Sequence, residues 1–320
     1  MEHLEFFPQR ASSIASTIDD IYFVWLGLSA IVALAIGALI VFFIIKYRKG
    51  SSSPQPAPDD PAHERAMHRI EITWTLIPLA IFLAMFAWST RAYYESVTVP
   101  PDAMPIYVVG KQWMWHIEHP GGQREINELH VPLGRTIELV MTSQDVIHSF
   151  SIPGFRVKQD VLPGRYTTLW FKTTRAGDFR WFCTQYCGTA HSQMIGRVVV
   201  MDANDYSSWL VATQTPGSMA ELGAASFRQF GCSGCHSPNA TVHAPRLEGL
   251  FGTTVQLQDG RTVVADERFI RDSVFLPNKN VPQSYQPIMP SFRGQIDEQQ
   301  MLEIIEYIKS LQSVSQGVTQ

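Results

Sequence analysis

The chain has 320 residues, a formal net charge of −4 and a charged fraction of 17%, low against the roughly 25% of soluble globular proteins. Its length accommodates two ordinary domains plus further segments, and its mildly acidic balance excludes the basic footprint of a nucleic-acid binder. The 4 cysteines fall in two close pairs, 183/187 and 232/235, a spacing that suits metal or covalent cofactor chemistry better than a scattered disulfide framework.

Ile21 to Ile45 carries no charge and is rich in Ile, Leu, Val and Ala, exceeding the ~20 residues an apolar helix needs to cross a bilayer. Lys46-Tyr47-Arg48-Lys49 follows at once, which places this end on the cytoplasmic side and the N-terminus outside. After a Ser/Pro-rich linker, Ile72 to Thr90 is a second uncharged run with Trp74 and Trp88 near its ends, and Pro78 within it is tolerable in a membrane helix. The first 95 residues therefore read as a transmembrane hairpin, with helices at about 21–45 and 72–92, that leaves both termini and everything after residue 95 outside.

Residues 96–202 change to short β-rich runs broken by Gly and Pro, such as Ile106-Val109, Thr136-Thr142 and Phe179-Cys183. Their number and alternation predict an antiparallel sandwich or barrel. Between two of these strands lies C-T-Q-Y-C-G-T-A-H-S-Q-M, Cys183 to Met194. Soft sulfur mixed with imidazole suits copper or zinc rather than a hard cation. At that spacing the same residues also lie on one helix face and could pack in a core, but strand flanks and Gly188 favour a metal loop. His148, in the run Asp145 to Phe150, is a further imidazole at the loop-bearing end of the sandwich. Two thiolates, two imidazoles, a thioether and a main-chain carbonyl satisfy two copper ions. A tetrahedral zinc built from two Cys and two His is the rival, and it leaves Met194 without a role.

Residues 203–216 read as a polar connector, and residues 217–320 as a separate domain. Cys232-Ser233-Gly234-Cys235-His236 is the attachment signature of c-type haem, in which two thiols bind the macrocycle and the histidine ligates iron. Met289, on a Pro-bounded loop, is the candidate sixth ligand, a pairing that raises haem potential; Met219 and Met301 read as helix positions. Asp297 and Gln300 form a capping pair for a last helix whose apolar stripe is Leu302, Ile305, Ile308 and Leu311.

The hairpin, His148 and the Cys183–Met194 loop together resemble subunit II of the haem–copper cytochrome c oxidases, here followed by a fused class I cytochrome c domain. The resemblance implies a Greek-key cupredoxin domain after the two-helix hairpin, then an all-α cytochrome c domain. It implies a dinuclear CuA centre held by His148, Cys183, Cys187, His191 and Met194 with the main-chain carbonyl of Gln185, and haem c on Cys232, Cys235, His236 and Met289. Pro245 corresponds to the proline whose carbonyl binds the haem histidine. Trp113, in Gly110-Lys111-Gln112-Trp113-Met114-Trp115, corresponds to the electron-entry residue, and Glu71 to a glutamate at a proton-pathway mouth. Lys158, Asp160, Pro163, Gly164 and Arg165 match a segment of structural role.

There is one departure: Gln185 stands where most members have a glutamate that helps bind magnesium at the subunit interface, and a neutral amide is a weaker ligand for a hard cation. By resemblance the chain is the electron-input subunit of a terminal oxidase in a bacterial inner membrane. It would take electrons from an external donor such as cytochrome c and pass them to catalytic subunit I, where oxygen is reduced and protons are pumped. The alternatives are delivery to a nitric oxide or nitrous oxide reductase, and a stand-alone membrane copper/haem redox protein.

Overall fold

The computed structural model describes residues 7–49, 61–213, 217–237, 240, 242 and 244–311. The Ser/Pro-rich linker at 50–60 lies outside the described residues. The chain divides into two compact units, Ile14–Thr98 and the remainder.

The smaller unit is two long helices, α1 (Ala15–Lys46) and α2 (Pro61–Val97). Both extend beyond their uncharged runs, because a helix needs only continuous backbone hydrogen bonding, whereas a span is limited by apolar length. Pro78 lies inside α2 without ending it. Almost the whole apolar surface of both helices is exposed within the chain; such a surface is buried in a membrane or against partners.

The larger unit opens with ten strands. These are β1 (Met104–Lys111), β2 (Met114–Glu118), β3 (Arg124–Ile126), β4 (Glu128–Pro132), β5 (Thr136–Ser143), β6 (His148–Ile152), β7 (Val157–Val161), β8 (Thr167–Lys172), β9 (Gly177–Cys183) and β10 (Ile195–Met201). They form two five-stranded sheets, β3-β2-β1-β5-β8 and β4-β10-β9-β6-β7. The expected purely antiparallel pairing is corrected: β1 runs parallel to β5, and β4 parallel to β10. The chain crosses between sheets after β3, so strands that close each sheet arrive from the other layer rather than through a hairpin. Trp115, Phe150, Phe155, Phe171 and Trp181 fill the space between the layers with no exposed surface. The segment before α1 belongs to this unit: Ala11 is buried in the same core and Ser12 pairs with Thr173.

The connector after β10 contains a helix, α3 (Ala203–Ala212). Its Trp209 stacks on His130 at 4.7 Å and its Tyr206 lies 3.3 Å from His119 Nδ1, contacts that a reading of local polarity did not reveal. The last domain comprises α4 (Met219–Gln229), α5 (Ser233–His236), a small antiparallel pair β11 (Thr254–Gln256) and β12 (Thr262–Val264), α6 (Glu267–Phe275) and α7 (Glu298–Ser310). The β11–β12 pair is an addition to the expected all-helical domain. Asp297 caps α7 in a capping box with Gln300, and Ser218 caps α4 in the same way with Glu221. Met301, Ile304, Ile305 and Ile308 face the domain's own core, while Leu302 faces the sandwich.

That second contact explains β1. Ile106 and Val108 point into the sandwich, and Tyr107 and Val109 pack against Met219 and Leu302. Buried on both faces, β1 is a continuous apolar run rather than an alternating one, as burial on two sides requires.

Candidate metal centre

The site is assembled where β9 ends and β10 begins. Pairing of β6 with β9 sets Phe150 opposite Cys183, which carries His148, two residues earlier, to the mouth of the Cys183–Met194 loop. Main-chain bonds from Cys183 N to Met194 O (3.1 Å) and from Thr184 N to Ser149 O (3.0 Å) close that loop onto β6. Gly188 adopts φ +117°, and a Cβ there would meet Gln112 Nε2 at 2.9 Å, so the loop requires glycine at this close approach.

The donor atoms converge. Cys183 Sγ lies 3.8 Å from Cys187 Sγ, 4.0 Å from His148 Nδ1 and 3.3 Å from the main-chain oxygen of Gln185. Cys187 Sγ lies 3.5 Å from His191 Nδ1 and 3.8 Å from Met194 Sδ. His148, Cys183, Cys187 and Met194 are buried, and His191 is half-buried. The two thiols are electrostatically unequal. Burial opposes ionisation of Cys183, but the His148 hydrogen bond and main-chain groups of Ser149 and Gln185 outweigh it and lower its pKa to about 6. Burial and the neighbouring Cys183 charge push Cys187 up to about 12. A thiol pair at van der Waals distance whose first proton leaves easily and whose second is held back is one that a cation deprotonates fully. With an imidazole beside each sulfur, a thioether and a carbonyl, the donor set fits a pair of soft metal ions.

Two residues without a role in the sequence reading lock this arrangement. Asp145 Oδ1 lies 2.8 Å from His148 Nε2 and its Oδ2 accepts from Gln112 N at 2.7 Å. Gln112 Nε2 and Trp113 Nε1 in turn donate to Cys187 O at 2.7 and 3.2 Å. The β1–β2 turn thus grips the loop from one side and the histidine from the other, the outer-shell orientation that metal sites depend on. Spacing signalled neither residue as a partner; only the cross-strand register brings them in.

The remaining expected positions are distributed as follows. Trp113 packs against the sandwich core. Gln185 is exposed. Glu71, on α2, is paired with His68 at 3.1 Å and exposed within the chain. Asp160 accepts from Lys158 and Ser149 at 2.9 and 2.7 Å, which ties β7 to β6. In the last domain, Cys232 caps the N-terminus of α5, which carries Cys235 and His236, and His236 Nδ1 lies 2.9 Å from Pro245 O, an arrangement that frees Nε2 for iron. Cys232 and Met289 both pack against that domain's core, so the residues fit a haem c. A second set of metal-type side chains among the described residues, Glu125, Glu128 and His130, is engaged internally. Glu125 holds His119 and His130, and Glu128 pairs with Arg197 at 2.6 Å.

Residues 122–202 match the family model of the cytochrome c oxidase subunit II periplasmic domain, and residues 220–312 the cytochrome c model. Among curated relatives, the alternative cytochrome c oxidase subunit 2 of Bradyrhizobium diazoefficiens is 32% identical over 41% of this chain and 59% of its own length. Cytochrome c oxidase subunit 2 of Alkalihalophilus pseudofirmus is 25% identical over 88% of this chain and 83% of its own. Among solved structures, the periplasmic domain of subunit II of cytochrome oxidase from Bradyrhizobium japonicum is 32% identical, covering 36% of this chain and 96% of that one, with a TM-score of 0.35. The chain carries a domain of the cytochrome c oxidase subunit II periplasmic family over residues 122–202, followed by a cytochrome c domain over residues 220–312.

Proposed function

We propose that this chain is the electron-input subunit of a membrane-bound haem–copper terminal oxidase in a bacterial inner membrane, its redox domains on the periplasmic side. The observation that carries the reading is the convergence of His148, Cys183, Cys187, His191, Met194 and the Gln185 carbonyl on one buried pocket. Those residues would hold a dinuclear copper centre, and Cys232, Cys235, His236 and Met289 a covalent haem c. Bound there, the two groups would supply one-electron carriage between an external donor and catalytic subunit I, where oxygen would be reduced to water with proton pumping.

The chain's own contribution is geometric. Asp145, Gln112 and Trp113 fix the copper-side donors so that a change of oxidation state requires little rearrangement. Trp113, bonded to the Cys187 carbonyl, is the proposed point of electron entry from outside, and Glu71 the proposed mouth of a proton pathway in the partner subunit. The membrane helices would tether the domains to subunit I, with Lys46, Arg48 and Lys49 on the cytoplasmic side. Gln185 leaves the interfacial magnesium site without its usual carboxylate.

Cys187→Ser tests the reading. The mixed-valence copper signal in electron paramagnetic resonance should vanish while the optical spectrum of haem c persists. Survival of that signal would sink the dinuclear assignment.

A further inference from the structure

The cytochrome c domain is seated on the outer face of the β3-β2-β1-β5-β8 sheet. The centre of the contact is apolar: Tyr107, Val109 and Val140 meet Met219 and Leu302. Charged groups ring it. On one side Arg271 of α6 donates to Gly164 O at 3.0 Å and pairs with Glu298. On another, Lys309 of α7 lies 2.7 Å from Glu267 and 2.9 Å from Glu306, and 3.1 Å from the Tyr107 hydroxyl. The Arg271 group is matched within the helical domain, whereas in the Lys309 group one lysine serves two carboxylates that keep some solvent contact, their side chains 26% and 17% exposed.

The third group has one cation for two carboxylates that are more deeply buried and come from different domains. Arg124 of β3 pairs with Glu118 of β2 at 3.3 Å and with Glu303 of α7, and Gln299 Nε2 donates to Glu118 at 2.9 Å. Glu118 is 3% exposed and Glu303 4%, so two buried carboxylates, one from each domain, share a single guanidinium. Among the described residues no second cation pairs with either carboxylate. Asp297, at the cap of α7, adds negative charge, and burial, followed by Lys111, lowers the pKa of His116 of β2. Lys309, further along α7, is engaged by Glu306 and Glu267, and Gly223 of α4 lies against the Glu303 backbone. An unmatched buried charge is strongly unfavourable, and two carboxylates at one site resolve it by retaining a proton.

We propose that Glu118, Arg124 and Glu303 form a proton-binding site between the sandwich and the cytochrome c domain, and that proton uptake there tightens the seating of the two domains. The site is independent of which group either domain binds. Burial, and then the Glu118 charge, raise Glu303 from the usual 4.5 to about 7 in the seated state, against the pull of Arg124. Because the seated pKa lies above the free one, this contribution is fully present below about 4.5 and is lost as pH rises through 7. With each unit of pKa worth tenfold, the seating equilibrium should weaken about 20-fold between pH 5.5 and 7.5.

The test is hydrogen exchange on the intact, haem-loaded chain in its oxidase complex, corrected for intrinsic rates, at those two pH values. Protection of α7 and β2 amides should fall by at least about tenfold with rising pH, by the same relation, relative to amides of the β9–β10 pair as an internal reference. Glu303→Gln, a neutral isostere of the protonated group, should remove the difference. Glu118→Gln leaves one carboxylate for one guanidinium and should diminish the response above pH 5.5, with the part due to burial remaining; it carries the test if the first variant loses its haem spectrum. Equal wild-type protection at the two pH values, or an undiminished fall in a folded variant, overturns the proposal.

Discussion

The two proposed cofactor regions of this chain are built on opposite principles. On the proposed copper side, His148 of β6 and Cys183, Cys187 and Met194 of the β9–β10 loop are buried, His191 is half-buried, and an aromatic core reaches the histidine: Trp181 and Phe150 rings lie 4.7 Å apart, Phe150 and Trp115 5.0 Å, and Trp115 and His148 5.7 Å. On the proposed haem side, Cys235 and His236 occupy a four-residue helix capped by Cys232, none of the three is buried, and Met289 sits on a loop. That loop is pinned to α6 by Ser291 Oγ to Phe275 O at 2.7 Å. A β-sandwich presets metal geometry through long-range pairing, whereas a small helical domain presents its cofactor residues on local segments and relies on helix crossings for rigidity.

This contrast can be broken from either side. Trp181→Ala should have the largest effect, because it empties a fully buried site in the sandwich; a loss of ~3–5 kcal/mol is expected for such a truncation. Denaturant unfolding of the sandwich would register it. The copper signal should weaken while haem c attachment is unchanged, and equal damage to both centres would contradict their separate construction.

Gly223→Ala should do the reverse at a smaller cost. A Cβ there would meet Glu303 O at 1.9 Å and Tyr307 Cβ at 2.9 Å, so α4 and α7 must separate, at about 1–3 kcal/mol for such overpacking. Thermal unfolding followed in the haem bands should shift down with the copper signal retained. Met289→Ala should have the smallest structural consequence. It should lower the haem potential by removing the thioether, read by redox titration, and leave domain stability nearly unchanged. An unaltered potential would mean that another residue supplies the sixth ligand.

Much of this architecture was legible along the chain because its signals are local. Uncharged length announces a span, C-x-x-C-H announces a haem attachment, and the Asp297–Gln300 capping pair marks the start of α7 where the structure has it. The parallel pairs β1/β5 and β4/β10 were not legible, since nothing in a strand's own sequence states its neighbour. Nor was α3, whose weakly apolar residues are held by Trp209 and Tyr206 against two histidines of the sandwich. Asp145 was in view beside His148, yet its tie to Gln112 depends on how the β1–β2 turn meets the loop after β5.

What the sequence by itself determined is the inventory: sulfur and imidazole donors at fixed spacing within one loop, a haem signature, and two apolar helices. Donors within a few residues of one another have little freedom to separate, so their chemistry is written locally. What only the tertiary structure decided is which distant groups meet. The sheet register delivers His148 to Cys183, and the coverage of β1 on its second face brings Glu303 to Glu118 across a shared Arg124. Both follow from the burial of apolar faces, which fixes strand neighbours and domain seating together and leaves the charged residues at the rim to find partners where the packing puts them.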